Sequence, residues 1–267
     1  MRYEIRELDL GGVLDQTVKL TKDNFGRFIG ITAVLLIPYD IVQGFVQIAM
    51  TPALPPNPTP EQVMAAFGSL SITIPFLFVS LLVVIPITNA ALIYCIAGEY
   101  LDKPVGVGES LKRAVQRIPA LIGTWFLLGL AIMGGYILCI IPGIIAAFWF
   151  SLSTQVVVIE GTAGVAALKR SRELMKGNIG TFFVLSLLIG LVSGGIGFGA
   201  AFIPQQHLRI IVGSLVQGVA TVFASAAVVV FYFSARCKHE QFDLSLLAQS
   251  VGIETAAGTA ETAAPQG

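Results

Sequence analysis

Apolar residues in this chain form long continuous runs, separated by segments in which most of the charged residues lie. A bilayer core of about 30 Å is crossed by roughly 20 helical residues, and six of the runs suit that length. The pattern predicts an all-α protein, a polytopic membrane helix bundle with six transmembrane helices. The predicted helices cover about residues 28–50, 72–98, 120–140, 142–159, 179–203 and 208–233.

The third and fourth predicted helices come from one apolar run that has to be divided. An undivided helix of that length would be about twice as long as the bilayer core is thick. The strongest turn signal within the run is the Pro-Gly pair at residues 142 and 143. We therefore predict a tight turn at residues 140–143.

Composition agrees with a membrane location. Apolar residues make up 55% of the chain and charged residues only 12%, whereas an ordinary soluble domain has about 25% charged residues. So little charge cannot cover a globule of this size. The formal net charge is zero, so no attraction to nucleic acid is expected, and membrane lipids are the expected partners.

The positive charges indicate an orientation. On the six-helix map, fifteen of the sixteen Lys and Arg residues lie on one side, and Arg209 alone lies on the other. Positive residues flanking transmembrane helices stay in the cytoplasm. Both termini are therefore expected in the cytoplasm, with the protein in the cell (inner) membrane. Adding or removing one internal helix would scatter these charges, so the distribution also supports the helix count.

The sequence contains a repeat with a period of 57 residues. Leu-Lys-Arg at residues 111–113 is followed after eight residues by Ile-Gly-Thr-Trp-Phe at 122–126. The same gap separates Leu-Lys-Arg at 168–170 from Ile-Gly-Thr-Phe-Phe at 179–183, and residues 24–28 form a weaker third copy. The alternative explanation is chance similarity, because both loops have to be basic. The repeat predicts parallel two-helix units at about 14–100, 106–160 and 163–248.

Each clear copy of the repeat begins with a short amphipathic segment. Leu111 and Leu168 lie on apolar faces at helical spacing, with basic residues on the opposite face. We predict amphipathic interfacial helices that lie on the cytoplasmic leaflet with the apolar face down. The basic residues predicted to contact inner-leaflet lipids are Lys112, Arg113, Lys169 and Arg170.

Two segments resemble a known family. Residues 156–161 read Val-Val-Val-Ile-Glu-Gly, and residues 166–177 read Ala-Ala-Leu-Lys-Arg-Ser-Arg-Glu-Leu-Met-Lys-Gly. Together with residues 232–244, they resemble the membrane domain of some glycerophosphoryl diester phosphodiesterases, over about residues 10–248. The resemblance implies a six-helix membrane module. It implies no phosphodiesterase activity, because in the fused proteins that chemistry belongs to a separate TIM barrel.

Asp40 is the most unusual residue in the map, because it lies in the middle of the first predicted helix. Ionisable residues at that depth are costly and suggest a function. Counting residues from the membrane boundary places several polar residues of other helices at similar depths. The predicted intramembrane polar cluster consists of Asp40, Gln43, Ser151, Gln155, Gln217 and Thr221. Hydrogen bonding between helices is the alternative role for these residues.

No catalytic motif is recognisable. The two histidines have no partner at helical spacing, no GxSxG or phosphate-binding loop occurs, and Cys95, Cys139 and Cys237 lie far apart. We therefore predict no catalytic residue, metal or cofactor. Gly-xxx-Gly pairs at 190/194 and 195/199 predict close helix contacts in the fifth helix, within the bundle or in a homo-oligomer.

Two functional hypotheses follow. The first is a non-catalytic scaffold, assembly or regulatory module that occupies residues 1–248 and ends in a disordered tail, 249–267. The alternative is a transporter or lipid-handling protein with a polar path near Asp40. An enzyme has the least support, and the sequence indicates no particular substrate or protein partner.

Overall fold

The prediction of an all-helical protein with six long apolar helices is confirmed. The computed structural model describes residues 3, 5–50, 57 and 59–240, and every regular element in them is helical. Six stretches are long and apolar enough to cross a membrane. We call them spans 1 to 6, and they are Phe25–Met50, Thr73–Tyr100, Val107–Leu138, Ile140–Glu160, Ile179–Gly199 and Gln206–Glu240. The predicted disordered tail lies outside the described residues.

Several spans are interrupted helices. Span 1 is broken near Leu35, span 2 contains a π-helical turn at Ser80–Val84, and span 4 ends in another at Val156–Glu160. The α-helices are α1 (Leu10–Asp23), α2 (Phe25–Val34), α3 (Leu36–Met50), α4 (Pro60–Val79), α5 (Ile85–Tyr100), α6 (Val107–Leu138), α7 (Ile140–Trp149), α8 (Ser153–Gln155), α9 (Val165–Met175), α10 (Ile179–Ala201) and α11 (Gln206–Glu240).

Helix α4 begins well before the second predicted transmembrane helix. Thr59 caps its N-terminus. The Thr59 hydroxyl accepts from the backbone N–H of Gln62, and the Gln62 side-chain oxygen accepts from the backbone N–H of Thr59. Pro60 occupies the first turn, where a missing N–H costs nothing. The segment following the proline-rich stretch is therefore helical. Residues 51–56 and 58 of that stretch lie outside the described residues.

Spans 3 and 4 form a hairpin whose turn lies earlier than predicted. The break is at Cys139, which has extended backbone, and Pro142 and Gly143 lie in the first turns of α7. The helices approach closely here, since a Cβ on Gly135 would lie 2.8 Å from the Gly143 Cα. Because glycine at both positions lets the two helices touch, they are joined at Cys139 without a longer connecting loop.

We expect Gly135→Ala to destabilise this hairpin and Gly134→Ala to leave it intact. The new methyl group at Gly135 meets backbone, which cannot move without separating the helices, at a cost of about 1–3 kcal/mol. A Cβ on Gly134 meets nothing within 4 Å. Thermal unfolding in detergent, followed by tryptophan fluorescence, measures both variants. Equal melting temperatures for the two variants would contradict the close contact.

The bundle is packed most tightly around spans 2 and 6. In each of these spans 44% of the most apolar stretch is buried, compared with 11–12% in spans 3 and 5. Tyr3, Tyr100 and Phe233 stack in a row, with ring centroids 5.8 and 5.3 Å apart. The row lies at what we call the basic end, defined by the turns at residues 101–106, 161–164 and 176–178. The hydrophobic core is therefore concentrated towards this end.

The segment before α1 is fastened to span 6. The Leu8 N–H donates to the Ser234 Oγ at 2.8 Å, and the Ser234 hydroxyl lies 3.3 Å from the Leu8 carbonyl. Lys238 pairs with Glu7 at 3.1 Å. Helix α1 then packs along α11. The N-terminal region is thus an integral part of the bundle.

The three segments of the predicted repeat have the same spacing of buried residues. Asn24 and Asn178 are both buried, and each side-chain amide donates to the carbonyl four residues earlier, at 3.2 and 2.9 Å. Residues seven and eleven positions earlier are also buried. The three buried sets are Val13, Thr17 and Asn24; Ser110, Ala114 and Leu121; and Ala167, Ser171 and Asn178. The repeat itself stays a prediction.

The two predicted interfacial segments differ from each other in the structure. The segment containing Leu111 is not a separate helix. It forms the first part of α6, which runs without interruption through Pro119 to Leu138. The segment containing Leu168 is separate and forms α9. Leu168 is buried there, and the Ser171 hydroxyl donates to the Trp149 carbonyl and accepts from the Leu152 N–H. Helix α9 therefore packs on the break in span 4.

Candidate functional site

A polar cavity of about 290 Å³ lies between spans 1, 2 and 6. Asp40 on α3 faces it from one side, and Gln217 and Thr221 on α11 face it from another. Three of the six residues of the predicted polar cluster are thereby brought together. The remaining lining residues are Leu36, Ser80, Ile85, Thr88 and Asn89.

The cavity lies beside the irregular part of span 2. Pro86 has no N–H, so a regular α-helical hydrogen bond cannot form at that position. The π-helical turn Ser80–Val84 lies just before it, and the Ile85 N–H donates to the Ser80 carbonyl. The Tyr39 hydroxyl donates to the Phe76 carbonyl next to this turn. Such π-helical turns widen a helix locally and are frequent at functional sites.

Two polar groups of the cavity have no protein partner among the described residues. Thr88 is 1% exposed, and its hydroxyl has no hydrogen-bond partner among the described residues. Asp40 is half-buried, and no ion pair or hydrogen bond of its carboxylate is found in the described part of the chain. A buried polar group without a partner costs about 1–3 kcal/mol. Such a cost is expected where a ligand or water supplies the missing partner.

A second cavity continues the first towards the opposite end of the bundle. It measures about 300 Å³ and shares Asp40 and Gln217 with the first. Ser214 and Arg209 line it further along α11. Because they share Asp40 and Gln217, the two cavities are neighbours, and their polar lining residues extend from Arg209 to Thr88.

The other three predicted cluster residues lie elsewhere. Gln43 lines a separate cleft of about 10 Å³ with Gln47 and Thr73, space for no more than one water molecule. Ser151 donates to the Phe148 carbonyl at 2.8 Å. Gln155 is buried, and its Oε1 has no partner among the described atoms. Similar depth in the membrane does not place residues on the same side of the bundle.

Several polar residues that line the cavities were not predicted from the sequence. Ser80, Thr88 and Asn89 lie in span 2, and Arg209 was noted only as the exception to the charge asymmetry. A signal for two of them was present, because Thr88 and Asn89 form an adjacent polar pair in the middle of an apolar run. Ser80 becomes a lining residue through the π-helical turn, which hydropathy does not reveal.

A cluster of ion pairs lies at the basic end, and we call it the Glu160 cluster. The Glu160 carboxylate accepts from the Arg170 Nε at 3.0 Å and from the Tyr232 hydroxyl at 2.6 Å. Glu240 binds the same Arg170 and accepts from the Arg236 Nε at 2.9 Å. These contacts join span 4, α9 and span 6, so the cluster fixes α9 within the bundle.

Arg170 is the centre of this cluster. Burial lowers the pKa of its guanidinium, but hydrogen bonds and charges from Glu160 and Glu240 outweigh burial and leave the pKa raised. Arg170 was predicted to contact lipid, whereas in the structure its guanidinium forms ion pairs with Glu160 and Glu240. A comparable pair joins Arg27 to Glu99, which closes span 2 at the same end.

The remaining predicted lipid contacts and the glycine motif are untested. Lys112 and Lys169 are exposed, and Arg113 pairs with Glu109 one helical turn away. A Cβ on any glycine of the two motifs in span 5 would meet nothing within 4 Å. That face of span 5 is therefore uncovered, and homo-oligomerisation through it stays a prediction.

The cavity has a donor set unlike that of a tight metal site. Among the described residues, no group of three or more His, Cys, Asp or Glu side chains is placed to hold a metal ion. The cavity instead combines the carboxylate of Asp40 with the amides of Asn89 and Gln217 and with hydroxyl groups. Such groups bind polar organic molecules through hydrogen bonds and charge.

No protein-family model matches the chain, and no curated protein or solved structure matches it. The resemblance to the phosphodiesterase membrane domain accordingly stays a prediction. The chain is an integral multi-pass membrane protein by the length and apolar character of its six helices.

Proposed function

We propose that this protein binds a small polar ligand inside the membrane, in the cavity beside Asp40, as a transporter or lipid-handling protein does. The observation that carries the proposal is one cavity of about 290 Å³ that is lined both by the buried Thr88 hydroxyl, which has no partner among the described residues, and by the half-buried Asp40 carboxylate. Polar groups inside membrane proteins normally face a partner or a water-filled path. A bound ligand supplies that partner.

The scaffold hypothesis predicts a different arrangement of the same residues. Polar residues that only hold helices together bond to one another, at about 0.6 kcal/mol per contact. Among the described residues that line the cavity, Gln217 and Thr221 alone bond to each other through their side chains, at 3.5 Å and on the same helix. The scaffold hypothesis is favoured instead by the Glu160 cluster, which locks the basic end. It remains the second candidate function.

We further propose that the basic end is cytoplasmic and that the protein lies in the cell membrane with both termini inside. Fifteen of the sixteen positive residues support this orientation. Arg209 and the second cavity then face the outside. In this orientation the exposed Lys112 and Lys169 are placed to contact anionic lipids of the inner leaflet. The resemblance to the phosphodiesterase membrane domain is compatible with such a non-catalytic module.

Cysteine accessibility tests the cavity and the orientation together. In a variant without the three native cysteines, Gln217→Cys should react with a charged, impermeant thiol reagent added to the outside of sealed cells. Val219→Cys is the matched control, because it is a similarly exposed position on the same helix, about 200° around the axis, and it lines neither cavity. The reaction requires water and a thiolate, so Gln217→Cys should react at least about tenfold faster.

Two results would count against the proposal. Equally slow labelling at both positions would mean that the cavity is dry, and the scaffold hypothesis would then be preferred. Fast labelling of Gln217→Cys only in inverted vesicles would keep the cavity and reverse the orientation.

A further inference from the structure

We infer that the ligand is a zwitterion, whose ammonium group binds Asp40 and whose anionic oxygen group binds Arg209. The inference rests on the proposed function and specifies the ligand class of the same site. The shared chemistry has two sources, the headgroup of a zwitterionic lipid and a free zwitterion such as an amino acid.

Two opposite charges line one cavity. Asp40 and Arg209 line the same cavity of about 300 Å³, on α3 and α11. Arg209 is the single positive residue outside the basic segments, and Asp40 lies in the middle of span 1. The two charges therefore mark the two sides of one cavity.

These two charges do not neutralise each other. No ion pair within 4.0 Å joins Asp40 to Arg209, and neither side chain has another ionic partner in the described ranges of the chain. Arg209 is exposed and Asp40 is half-buried, so each charge is accessible to a partner outside the chain. A zwitterion satisfies both.

The two side chains bind different chemical groups. A carboxylate accepts hydrogen bonds from the three donors of an ammonium group, and a guanidinium binds phosphate or carboxylate through two parallel bonds. A ligand with only a positive charge would be repelled by Arg209, and one with only a negative charge would be repelled by Asp40. The pair therefore selects against both classes.

The uncharged lining groups complete the site. Gln217 lines both cavities between the two charges, and Asn89 and Thr221 line the deeper one. The unsatisfied Thr88 hydroxyl lies in that deeper cavity as a further hydrogen-bonding group. The volumes of about 290 and 300 Å³ are at the lower end of the range of about 300–1,000 Å³ that is usual for small-molecule sites. A headgroup or a small zwitterion is of the right class for such a space.

Calorimetric titration of the purified protein in an uncharged detergent tests the inference. The probes are short-chain phosphatidylethanolamine, short-chain phosphatidylglycerol, a short-chain alkylammonium, free phosphoethanolamine and glycine. At least one zwitterion should bind about tenfold or more tightly than the purely anionic and purely cationic probes, since each unpaired charge costs more than about 1.4 kcal/mol. Binding of the lipid alone identifies a headgroup, and binding of the free compounds identifies a solute.

Variants assign the two charges separately. Asp40→Asn should remove the preference over the anionic probe, and Arg209→Gln should remove the preference over the cationic probe. Asp15→Asn and Lys103→Gln make the same charge changes on exposed side chains at the basic end and should leave both preferences unchanged. Folding of every variant is checked by its elution volume and melting temperature.

The outcomes separate this inference from the proposed function. If a purely cationic or anionic probe binds as tightly as the zwitterions, or if Arg209→Gln has no effect, the zwitterion assignment is wrong and the polar cavity stands. If no probe binds although Gln217→Cys is accessible, the ligand is of another class and the inference is overturned. If Gln217→Cys is also inaccessible, the proposed function fails as well.

Discussion

Glu160→Ala should lower the stability of the bundle by about 2–4 kcal/mol. Removal of one partner from a buried ion pair typically costs about 3–5 kcal/mol, because it leaves the other charge unpaired. Here Arg170 keeps Glu240, which reduces the effect. The Tyr232 hydroxyl is buried, however, and loses its acceptor, which adds a buried unsatisfied group. The Arg170–Glu240 pair would still join α9 to span 6, whereas span 4 would lose the contacts that Glu160 makes with both.

Glu109→Ala is the matched control for this variant. Glu109 also pairs with an arginine, Arg113, but both side chains are about half exposed, so the loss should be no more than about 0.5 kcal/mol. Chemical denaturation in detergent micelles measures both variants. A stability loss of similar size in the two would show that the Glu160 cluster is merely a surface ion pair.

The number of helices was predictable because membrane thickness constrains the sequence directly. A hydrocarbon core of fixed width requires a fixed number of apolar residues for each span, and this requirement is visible without tertiary information. The exact turn between spans 3 and 4 was not predictable in the same way. The prediction followed Pro142 and Gly143, whereas the helices turn at Cys139 because Gly135 lets them touch.

The candidate site was only partly predictable for a related reason. The sequence indicates how deep a residue lies in the membrane, and Asp40, Gln217 and Thr221, which were predicted at similar depths, line one cavity. The sequence does not indicate which helices are neighbours in the bundle, because packing decides this. Ser151 and Gln155 therefore lie outside the cavity although their predicted depth is similar. Arg170 shows the same limit, because a basic residue on an amphipathic helix was expected to face lipid and instead binds Glu160 and Glu240.

Asp40→Asn should abolish function without harming the fold. Asparagine has almost the same shape as aspartate but carries no charge, so it cannot bind an ammonium group by charge. Loss of a charged hydrogen bond to a ligand is worth about 1.5–3 kcal/mol, or roughly 10- to 150-fold in affinity. The melting temperature should stay the same or rise, because an unpaired charge is removed from the membrane interior.

Complementation of a strain lacking this protein measures the effect, with each variant expressed at the same abundance in the membrane. Asp15→Asn is the control, because it removes an acidic charge from an exposed position on α1. Failure of Asp40→Asn together with normal growth of Asp15→Asn is the expected result. Full growth of a folded Asp40→Asn variant would remove the main support for ligand binding. The Glu160 cluster and the compact basic end would then favour the scaffold, whose function does not depend on a charge in the middle of span 1.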